Sequence, residues 1–255
     1  MAALGKRLPV LDVWVDQVDM GGAVEYVRTT LRNGKKPHVI FAVNPEKNFS
    51  VPRDPILYDT FRKADLLIPD GVGVVLAARI LHGAVLSRVP GVELMEKICA
   101  LAAAEGHPIF IYGSKEEVNA KAAQTLKRRH PTLNIAGRSD GYVKEHEMDA
   151  LIADINGSAA EILFLALGSP KQEKWYATYS PRLEHVRICQ GIGGTLDTIA
   201  GNVKRAPEIW RRFSAEWLYR LLADPKRVKR QKVLPLFALK VLLRKMGVGH
   251  RKASA

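Results

Sequence analysis

Short apolar runs alternate along the chain with longer stretches in which apolar residues recur at helical spacing. Continuous short runs are typical of strands buried on both faces, and amphipathic stretches are typical of the helices that cover them. The pattern predicts an α/β fold with a mostly parallel sheet and helices on both faces. The predicted strands are His38–Val43, Leu66–Ile68, Ile109–Tyr112, Leu133–Ala136, Ile162–Leu167 and Val186–Cys189. The predicted helices are Gly21–Arg32, Val72–Leu81, Glu93–Glu105, Lys115–Arg129, Glu145–Ile155 and Lys171–Tyr179.

The pattern changes near Gly201–Arg205, where the strand signals stop and helical segments rich in Arg, Lys and Trp begin. We therefore expect one α/β domain over residues 1–201 and a helical appendage over 202–255, with Pro207, Pro225 and Pro235 punctuating its helices. The appendage holds 15 Lys/Arg and 3 Asp/Glu, whereas the rest of the chain holds 24 and 23. A near-neutral body with a basic tail favours a phosphate-rich partner: nucleic acid, anionic lipid or a diphosphate substrate.

Two cysteines, Cys99 and Cys189, are too few for a disulfide framework or a thiolate zinc site, so a reducing compartment is expected. The first twenty residues do not have the pattern of a secretory signal. No apolar run approaches the ~18 residues that a membrane-spanning helix needs. The protein is therefore expected to act in solution or at a membrane surface.

Polar residues directly follow the first two predicted strands, where a parallel sheet binds its ligands. Asn44 either points into the ligand crevice or caps the next helix. Asp70 either acts as a general base toward a sugar hydroxyl or caps the helix that begins at Val72. The glycines after Asp70 do not complete a dinucleotide-binding fingerprint, because the position that it requires as glycine is Leu76. A Rossmann-type dehydrogenase is therefore not favoured.

Two later loops carry helix-start and glycine signals. Ser169 and Pro170 suit the N-cap and the first position of the helix that follows. The amide of Gln172 is suited to hydrogen-bond a sugar or a uracil edge. Gly191 and Gly193 expose backbone N–H groups at a helix start, which is an arrangement that binds phosphate. A tight turn alone also explains these glycines, and both interpretations stay open.

The spacing of Arg220, Arg227 and Arg230 places them on one face of a continuous helix. Such a row can grip a diphosphate through bidentate contacts. Pro225 interrupts the segment, and a solvated charged face is the alternative interpretation.

The last segment, Pro235–Gly247, has the pattern of a basic amphipathic helix. Its apolar face consists of Leu236, Leu239, Leu242, Leu243 and Met246. A helix of this kind at a chain end is typical of an interfacial membrane anchor. The alternative is an ordinary helix docked on the body or on another subunit.

Together these motifs resemble the WecG/TagA/CpsF family of bacterial glycosyltransferases. That family contains the teichoic-acid N-acetylmannosaminyltransferases and the enterobacterial-antigen N-acetylmannosaminuronic acid transferases. The joint order and spacing of the motifs carry the resemblance. The matching segments are Asn44-Pro45-Glu46, Pro69-Asp70-Gly71-Val72-Gly73, Gly168-Ser169-Pro170-Lys171-Gln172-Glu173, Gly191-Ile192-Gly193-Gly194 with Asp197, Arg205-Ala206-Pro207 and Glu216-Trp217-Leu218-Tyr219-Arg220-Leu221.

The resemblance implies a Rossmann-like transferase body whose C-terminal appendage completes the site. It implies a UDP-sugar donor, an undecaprenyl-diphosphate-linked acceptor and inversion at the anomeric carbon. It implies Asp70 as the general base. The implied substrate-binding residues are Asn44, Arg88 and Gln172 from the body and Arg220, Arg227 and Arg230 from the appendage. Ala42 stands where some members carry a Thr, which bears on the choice of sugar.

We therefore expect a peripheral enzyme at the cytoplasmic face of the bacterial inner membrane. It is expected to transfer a hexosamine, with N-acetylmannosamine as first choice, in polysaccharide or teichoic-acid-type synthesis. One alternative is a relative that transfers another hexose or a uronic acid into exopolysaccharide. Another is a nucleic-acid-binding protein whose basic tail stacks bases on Trp210 and Trp217.

The expected partners are a UDP-sugar, a polyprenyl-diphosphate-linked acceptor and an anionic membrane surface, but no nucleic acid. Homo-oligomerisation is left open. The sequence has no Asp-x-Asp pair, the pair with which many sugar transferases hold a cation, so no metal is expected. No cofactor is expected either.

Overall fold

The computed structural model describes residues 5–203 and 233–247. Its strands are β1 (Arg7–Val10), β2 (Val13–Asp16), β3 (His38–Val43), β4 (Leu66–Pro69), β5 (Ile109–Gly113), β6 (Ile135–Ser139), β7 (Ile162–Ala166) and β8 (Ile188–Gly191). Its α-helices are α1 (Met20–Asn33), α2 (Lys47–Ser50), α3 (Pro55–Lys63), α4 (Val72–His82), α5 (Gly91–Glu105), α6 (Glu116–Arg129), α7 (Met148–Gly157), α8 (Lys171–Tyr179), α9 (Thr195–Ile199) and α10 (Val233–Lys245). Short 3₁₀ turns cover Val51–Arg53, Glu145–Glu147 and Ser180–Arg182.

Six strands form a sheet in the order β4-β3-β8-β7-β5-β6, and each neighbouring pair is parallel. Helices α1, α5, α6 and α9 cover one face. Helices α3, α4, α7, α8 and α10 cover the other face, together with the antiparallel β1–β2 hairpin. Burial on both faces explains why these strands are continuous apolar runs in the sequence. The predicted α/β, Rossmann-like fold is confirmed.

All six predicted strands are present, and two of them begin later than predicted. β6 begins at Ile135, because the fully buried Leu133 lies in the turn before the strand. β8 begins at Ile188, because Val186 is buried ahead of the point where the strand ladder starts. In both places the buried apolar residues begin before the hydrogen-bonded strand does. A strand start predicted from an apolar run is therefore too early.

The helices differ from prediction in their starts and in their number. The predicted helix Glu145–Ile155 begins with a 3₁₀ turn and becomes α-helical at Met148. Pro235, expected to interrupt the appendage helices, lies inside α10. The hydrophobic pattern missed the hairpin and the short helices α2, α3 and α9. Only α3 carries a clear start signal, because Asp54 caps it and Pro55 is its first residue.

A buried carboxylate attaches the hairpin to the sheet. Asp16 is only 2% exposed, and its two oxygens accept hydrogen bonds from the guanidinium of Arg7 at 2.7 and 2.8 Å. One of these oxygens also accepts from the backbone N–H of Leu67 in β4, at 2.7 Å. The hydrogen bond to Asp16 raises the pKa of Arg7 above its usual value. The hairpin thus satisfies a backbone donor on edge strand β4, the strand that leads into Asp70.

We predict that Asp16→Ala lowers the free energy of unfolding by about 3 kcal/mol, because it leaves the Leu67 N–H without its acceptor and the Arg7 guanidinium without its carboxylate partner. Urea titration followed by circular dichroism measures this change. The matched control is Asp59→Ala on α3, where a half-exposed carboxylate pairs with Lys63. That variant is expected to change the free energy by less than about 0.5 kcal/mol. Equal losses in the two variants would contradict this role for Asp16.

Candidate active site at the strand ends

A crevice is expected where the chain leaves adjacent strands toward opposite faces of a parallel sheet. After β3 the chain continues to α3 on one face, and after the neighbouring β8 it continues to α9 on the other. The loop after β4 lies on one side of this point and the loop after β7 on the other. The loops that carry Asn44, Asp70, Gln172 and the glycines Gly191 and Gly193 therefore meet at one edge of the sheet.

Asp70 is held by the start of α5 and not by the start of α4. Its Oδ1 accepts a hydrogen bond from the backbone N–H of Gly91 at 3.1 Å, and Gly91 is the first residue of α5. The N-cap of α4 is Gly71, without a side-chain cap bond. The alternative in which Asp70 caps α4 is therefore wrong. The positive end of the α5 dipole stabilises a negative charge on the Asp70 carboxylate.

Asn44 does not cap a helix either. The N-cap position of α2 is Glu46, and the side-chain Oδ1 of Asn44 is buried without a hydrogen-bond partner. A methyl group at Gly71 would lie 3.0 Å from the ring of Pro45, and one at Gly73 would lie 2.9 Å from it. Only glycine allows this approach, so these glycines let the Asn44 loop pack closely on the Asp70 loop.

Arg88 lies in the segment that leads from α4 to α5. The next residue, Val89, donates its backbone N–H to the carbonyl of Pro69 at 2.8 Å. Pro69 directly precedes Asp70, so this bond holds the Arg88 segment beside the end of β4. Ala42 in β3 lies near the first residue of α5: a methyl group added at Gly91 would be 3.9 Å from the Cβ of Ala42.

Gln172 joins the loop after β7 to the loop after β8. It is 6% exposed, and its Oε1 accepts the backbone N–H of Gly193 at 3.0 Å. A methyl group on Gly191 would lie 2.6 Å from the Nε2 of Gln172, so close packing explains that glycine. Gly193 adopts a left-handed backbone, as a tight turn needs. A phosphate that binds the Gly193 N–H must displace the Gln172 amide oxygen.

Sequence reasoning missed a buried ion pair behind this loop. Lys47 donates from Nζ to Oε1 of Glu173 at 2.6 Å and to Oγ of Ser169 at 2.6 Å. The predicted N-cap role of Ser169 is therefore wrong: the N-cap of α8 is Pro170, and the Ser169 hydroxyl binds Lys47 instead. The paired residues are 126 positions apart, so no local pattern links them.

A second missed residue is Gln190 in β8. It is 1% exposed, and its Nε2 donates to the carbonyl of Gly91 at 3.1 Å. Its Oε1 is buried without a partner. A polar residue inside an otherwise apolar predicted strand was the signal that could have identified it. Gln190 and Asp70 thus hold the same first residue of α5 from two sides.

The arginine row Arg220, Arg227 and Arg230 lies outside the described residues. The predicted tail helix is present as α10 and packs on the body. Phe237 and Val241 are buried in the core, and Phe237 contacts the position of Gly73. The helix therefore docks, as the alternative interpretation held, but it docks through residues outside the predicted apolar face. Most of that face is exposed: Leu236, Leu239, Leu242 and Met246.

Neither cysteine is placed for chemistry. Cys99 and Cys189 are fully buried, and desolvation raises the pKa of both thiols, so neither is poised as a nucleophile.

The described part of the chain holds no cluster of three or more His, Cys, Asp or Glu that could bind a metal ion. None of the described helices is long and apolar enough to cross a membrane. Metal independence itself stays a prediction.

Comparison with known proteins gives a consistent result. The model of the glycosyl transferase WecG/TagA/CpsF family matches residues 8–251. A protein of Bacillus spizizenii is 35% identical over 233 residues, covering 91% of this chain and 87% of that protein. A protein of Bacillus subtilis is 34% identical over 219 residues, covering 86% and 84%. Both are named N-acetylglucosaminyldiphosphoundecaprenol N-acetyl-β-D-mannosaminyltransferase.

The matched range includes all the strand-end loops described above and the arginine row. The match covers nearly the whole chain, and the relatives are aligned over most of their own length. The resemblance that the motifs carried is thereby confirmed. This chain belongs to the WecG/TagA/CpsF family and is a glycosyltransferase.

Proposed function

We propose that this enzyme transfers N-acetylmannosamine from a UDP donor to N-acetylglucosamine on undecaprenyl diphosphate, with inversion at the anomeric carbon. The observation that carries the proposal is Asp70, a carboxylate at a strand end whose charge the start of α5 stabilises. The names of the two relatives support the choice of sugar and acceptor. The product belongs to cell-surface polysaccharide or teichoic-acid-type synthesis.

Inversion requires a single displacement at the anomeric carbon. Asp70 takes the proton from the acceptor hydroxyl as its oxygen attacks, and the bond to UDP breaks on the opposite side. The departing diphosphate gains negative charge, which cationic side chains offset. In this proposal Arg88 acts from the body. The arginine row, Arg220, Arg227 and Arg230, acts from the appendage, and its role rests on the sequence.

The remaining predicted residues bind the substrates. The buried Oδ1 of Asn44 is an unsatisfied acceptor beside the Asp70 loop, so a substrate hydroxyl or amide N–H suits it. The Gln172 amide, positioned by the Gly193 N–H, faces the turn after β8, where Gly191 allows close approach. Ala42 offers only a methyl group near Gly91, so this position selects the sugar by shape and not by a hydrogen bond.

A donor screen tests the proposal. The purified full chain is incubated with single UDP-sugars and a polyprenyl-diphosphate-N-acetylglucosamine analogue, and UDP release and product configuration are measured. We expect UDP-N-acetylmannosamine to give the fastest release, with an inverted product. A faster reaction with another UDP-hexose or a UDP-uronic acid would mean that this other sugar is the donor sugar. The enzyme would still be a glycosyltransferase. A retained configuration would contradict single displacement.

We predict that Asp70→Asn lowers the turnover number by about 10²-fold or more, because the amide cannot accept the acceptor proton. UDP affinity and the circular dichroism spectrum are expected to match those of the unchanged protein. The matched control is Asp59→Asn on the surface of α3, which is expected to keep its turnover number. If folded Asp70→Asn keeps a near-normal turnover number, Asp70 is not the general base.

We also propose that α10 lies on an anionic bilayer, at the cytoplasmic face of the inner membrane. Its exposed Leu236, Leu239 and Leu242 are accompanied by Leu76 and Ile80 on α4, the helix against which α10 packs. Exposed apolar side chains on two neighbouring helices are typical of an interaction surface. Cationic residues on α10 add charge attraction to anionic lipid: Lys240, Arg244 and Lys245.

A nucleic-acid role for the basic tail is less favoured, because it gives these leucines no partner. A gel-shift assay with single-stranded DNA, run beside the lipid assay, tests that alternative.

Deleting the whole helix would not test membrane binding alone, because Phe237 and Val241 are part of the core and their loss would also destabilise the fold. Point substitutions on the exposed face avoid this problem.

We predict that Leu239→Glu with Leu242→Glu abolishes most sedimentation with anionic liposomes, since it removes apolar insertion and adds charge repulsion. Ile56→Glu on α3 is the matched control, because Ile56 is 51% exposed and Leu239 is 53% exposed. In the unchanged protein, binding should fall with salt yet persist, because charge attraction is screened and apolar insertion is not. Unchanged sedimentation of the double variant would contradict the anchor.

A further inference from the structure

Lys47 and Glu173 form a deeply buried ion pair. The Lys47 side chain is 9% exposed and the Glu173 side chain is fully buried. Removing two charges from water costs free energy that their attraction often does not recover, and apolar replacements are often as stable. A buried pair therefore needs a reason other than stability, and its position next to the predicted substrate-binding residues supplies one.

The pair connects three loops of the crevice. Lys47 follows the Asn44 loop after β3, and Ser169, its second acceptor, lies in the loop after β7. Glu173 is adjacent to Gln172, whose Oε1 accepts the Gly193 N–H in the loop after β8. A chain of polar contacts thus runs from the end of β3 through α8 to the end of β8.

The carboxylate of Glu173 and the backbone N–H of Gly193 together fix the orientation of the Gln172 amide. The Nε2 of Gln172 lies 3.5 Å from Oε1 of Glu173, and its Oε1 faces the Gly193 N–H. The reversed amide would place its oxygen against the carboxylate and its NH₂ against the Gly193 N–H, and both contacts repel. The Gly193 N–H, which can only donate, fixes the oxygen end of the amide, and the carboxylate, which can only accept, fixes the nitrogen end. A neutral amide at position 173 can present either a donor or an acceptor, so it removes the second of these constraints.

We infer that Lys47 and Glu173 are positioning residues of the transferase: they fix the orientation of Gln172 and, through it, the turn after β8. Lys47 is needed because the second oxygen of Glu173 is buried without a partner, so the lysine is the cation that compensates its charge. The inference rests on the proposed function only for its kinetic readout.

The test compares three variants: Lys47→Met, Glu173→Gln, and both together. Each single variant leaves one buried charge unpaired, so we expect a lower melting temperature and a turnover number reduced by about 10- to 100-fold. The double variant removes both charges, so we expect its melting temperature to recover toward that of the unchanged protein. Its turnover number should stay low, because no carboxylate orients Gln172. Recovery of turnover together with stability would overturn the inference.

The matched control is Lys174→Met. Lys174 is next to Glu173 and pairs with Asp54 at the same 2.6 Å distance, but its side chain is 44% exposed. We expect this variant to keep its turnover number and melting temperature. A loss as large as that of Lys47→Met would show that the effect is not specific to the buried pair.

A double-mutant cycle tests the route through Gln172. In a Gln172→Ala background, Glu173→Gln should cost little further turnover, because the side chain that it positions is already gone. Additive losses would mean that Glu173 acts by another route, which contradicts the inference.

Amide hydrogen exchange provides a readout that does not depend on sugar transfer. In Glu173→Gln the Gly193 amide should exchange at least about tenfold faster, because its acceptor is no longer held in place. The neighbouring Ile192 amide, bonded to the Leu165 carbonyl at 2.9 Å, should be unchanged. Unchanged Gly193 exchange would overturn the inference even if transfer is confirmed. Faster exchange in a protein without transferase activity would refute the proposed function and not the inference.

Discussion

The parallel pairing of β3 with both β4 and β8 is the constraint on which the site depends. Parallel strands end at the same edge, so residues far apart in sequence lie side by side there. The chain then leaves β3 and β8 toward opposite faces, and a ligand crevice is expected between the loops at such a point. Asn44 and Gly193 are almost 150 positions apart, yet both belong to adjacent strand ends. No local interaction could place them together.

The start of α5 is the second element that defines the site. Gly91 uses its N–H to hold Asp70 and its carbonyl to hold Gln190. The helix thereby fixes the carboxylate and stabilises its charge at the same time. A catalytic base benefits from this arrangement, because a side chain that is already oriented loses little entropy when the substrate arrives. The fixed orientation comes from a helix whose first residue, Gly91, is 21 positions from Asp70 in the sequence.

The sequence predicted most of the sheet because its strands are buried on both faces and stand out as apolar runs. Motif order also identified the strand-end residues Asn44, Asp70 and Gln172, whose roles remain proposals. It could not decide whether Asn44 and Asp70 are helix caps, because the same residue types serve both purposes. The hairpin, the Lys47–Glu173 pair and Gln190 depend on contacts between distant segments, so no periodicity reveals them. Ser169 was predicted to cap α8, but its hydroxyl accepts a hydrogen bond from the distant Lys47 instead.

Helix α10 connects the core of the body to its outer surface. Phe237 and Val241 fill the same hydrophobic cluster as the strands, so the helix is part of the fold. Phe237 packs at Gly73, four residues from the end of β4, so α10 lies close to the loop that carries Asp70. A bilayer that receives the exposed leucines would therefore lie near the crevice. That geometry would suit an acceptor whose lipid stays in the membrane while its sugar reaches a strand end, and in the proposed function one helix would then serve both packing and attachment.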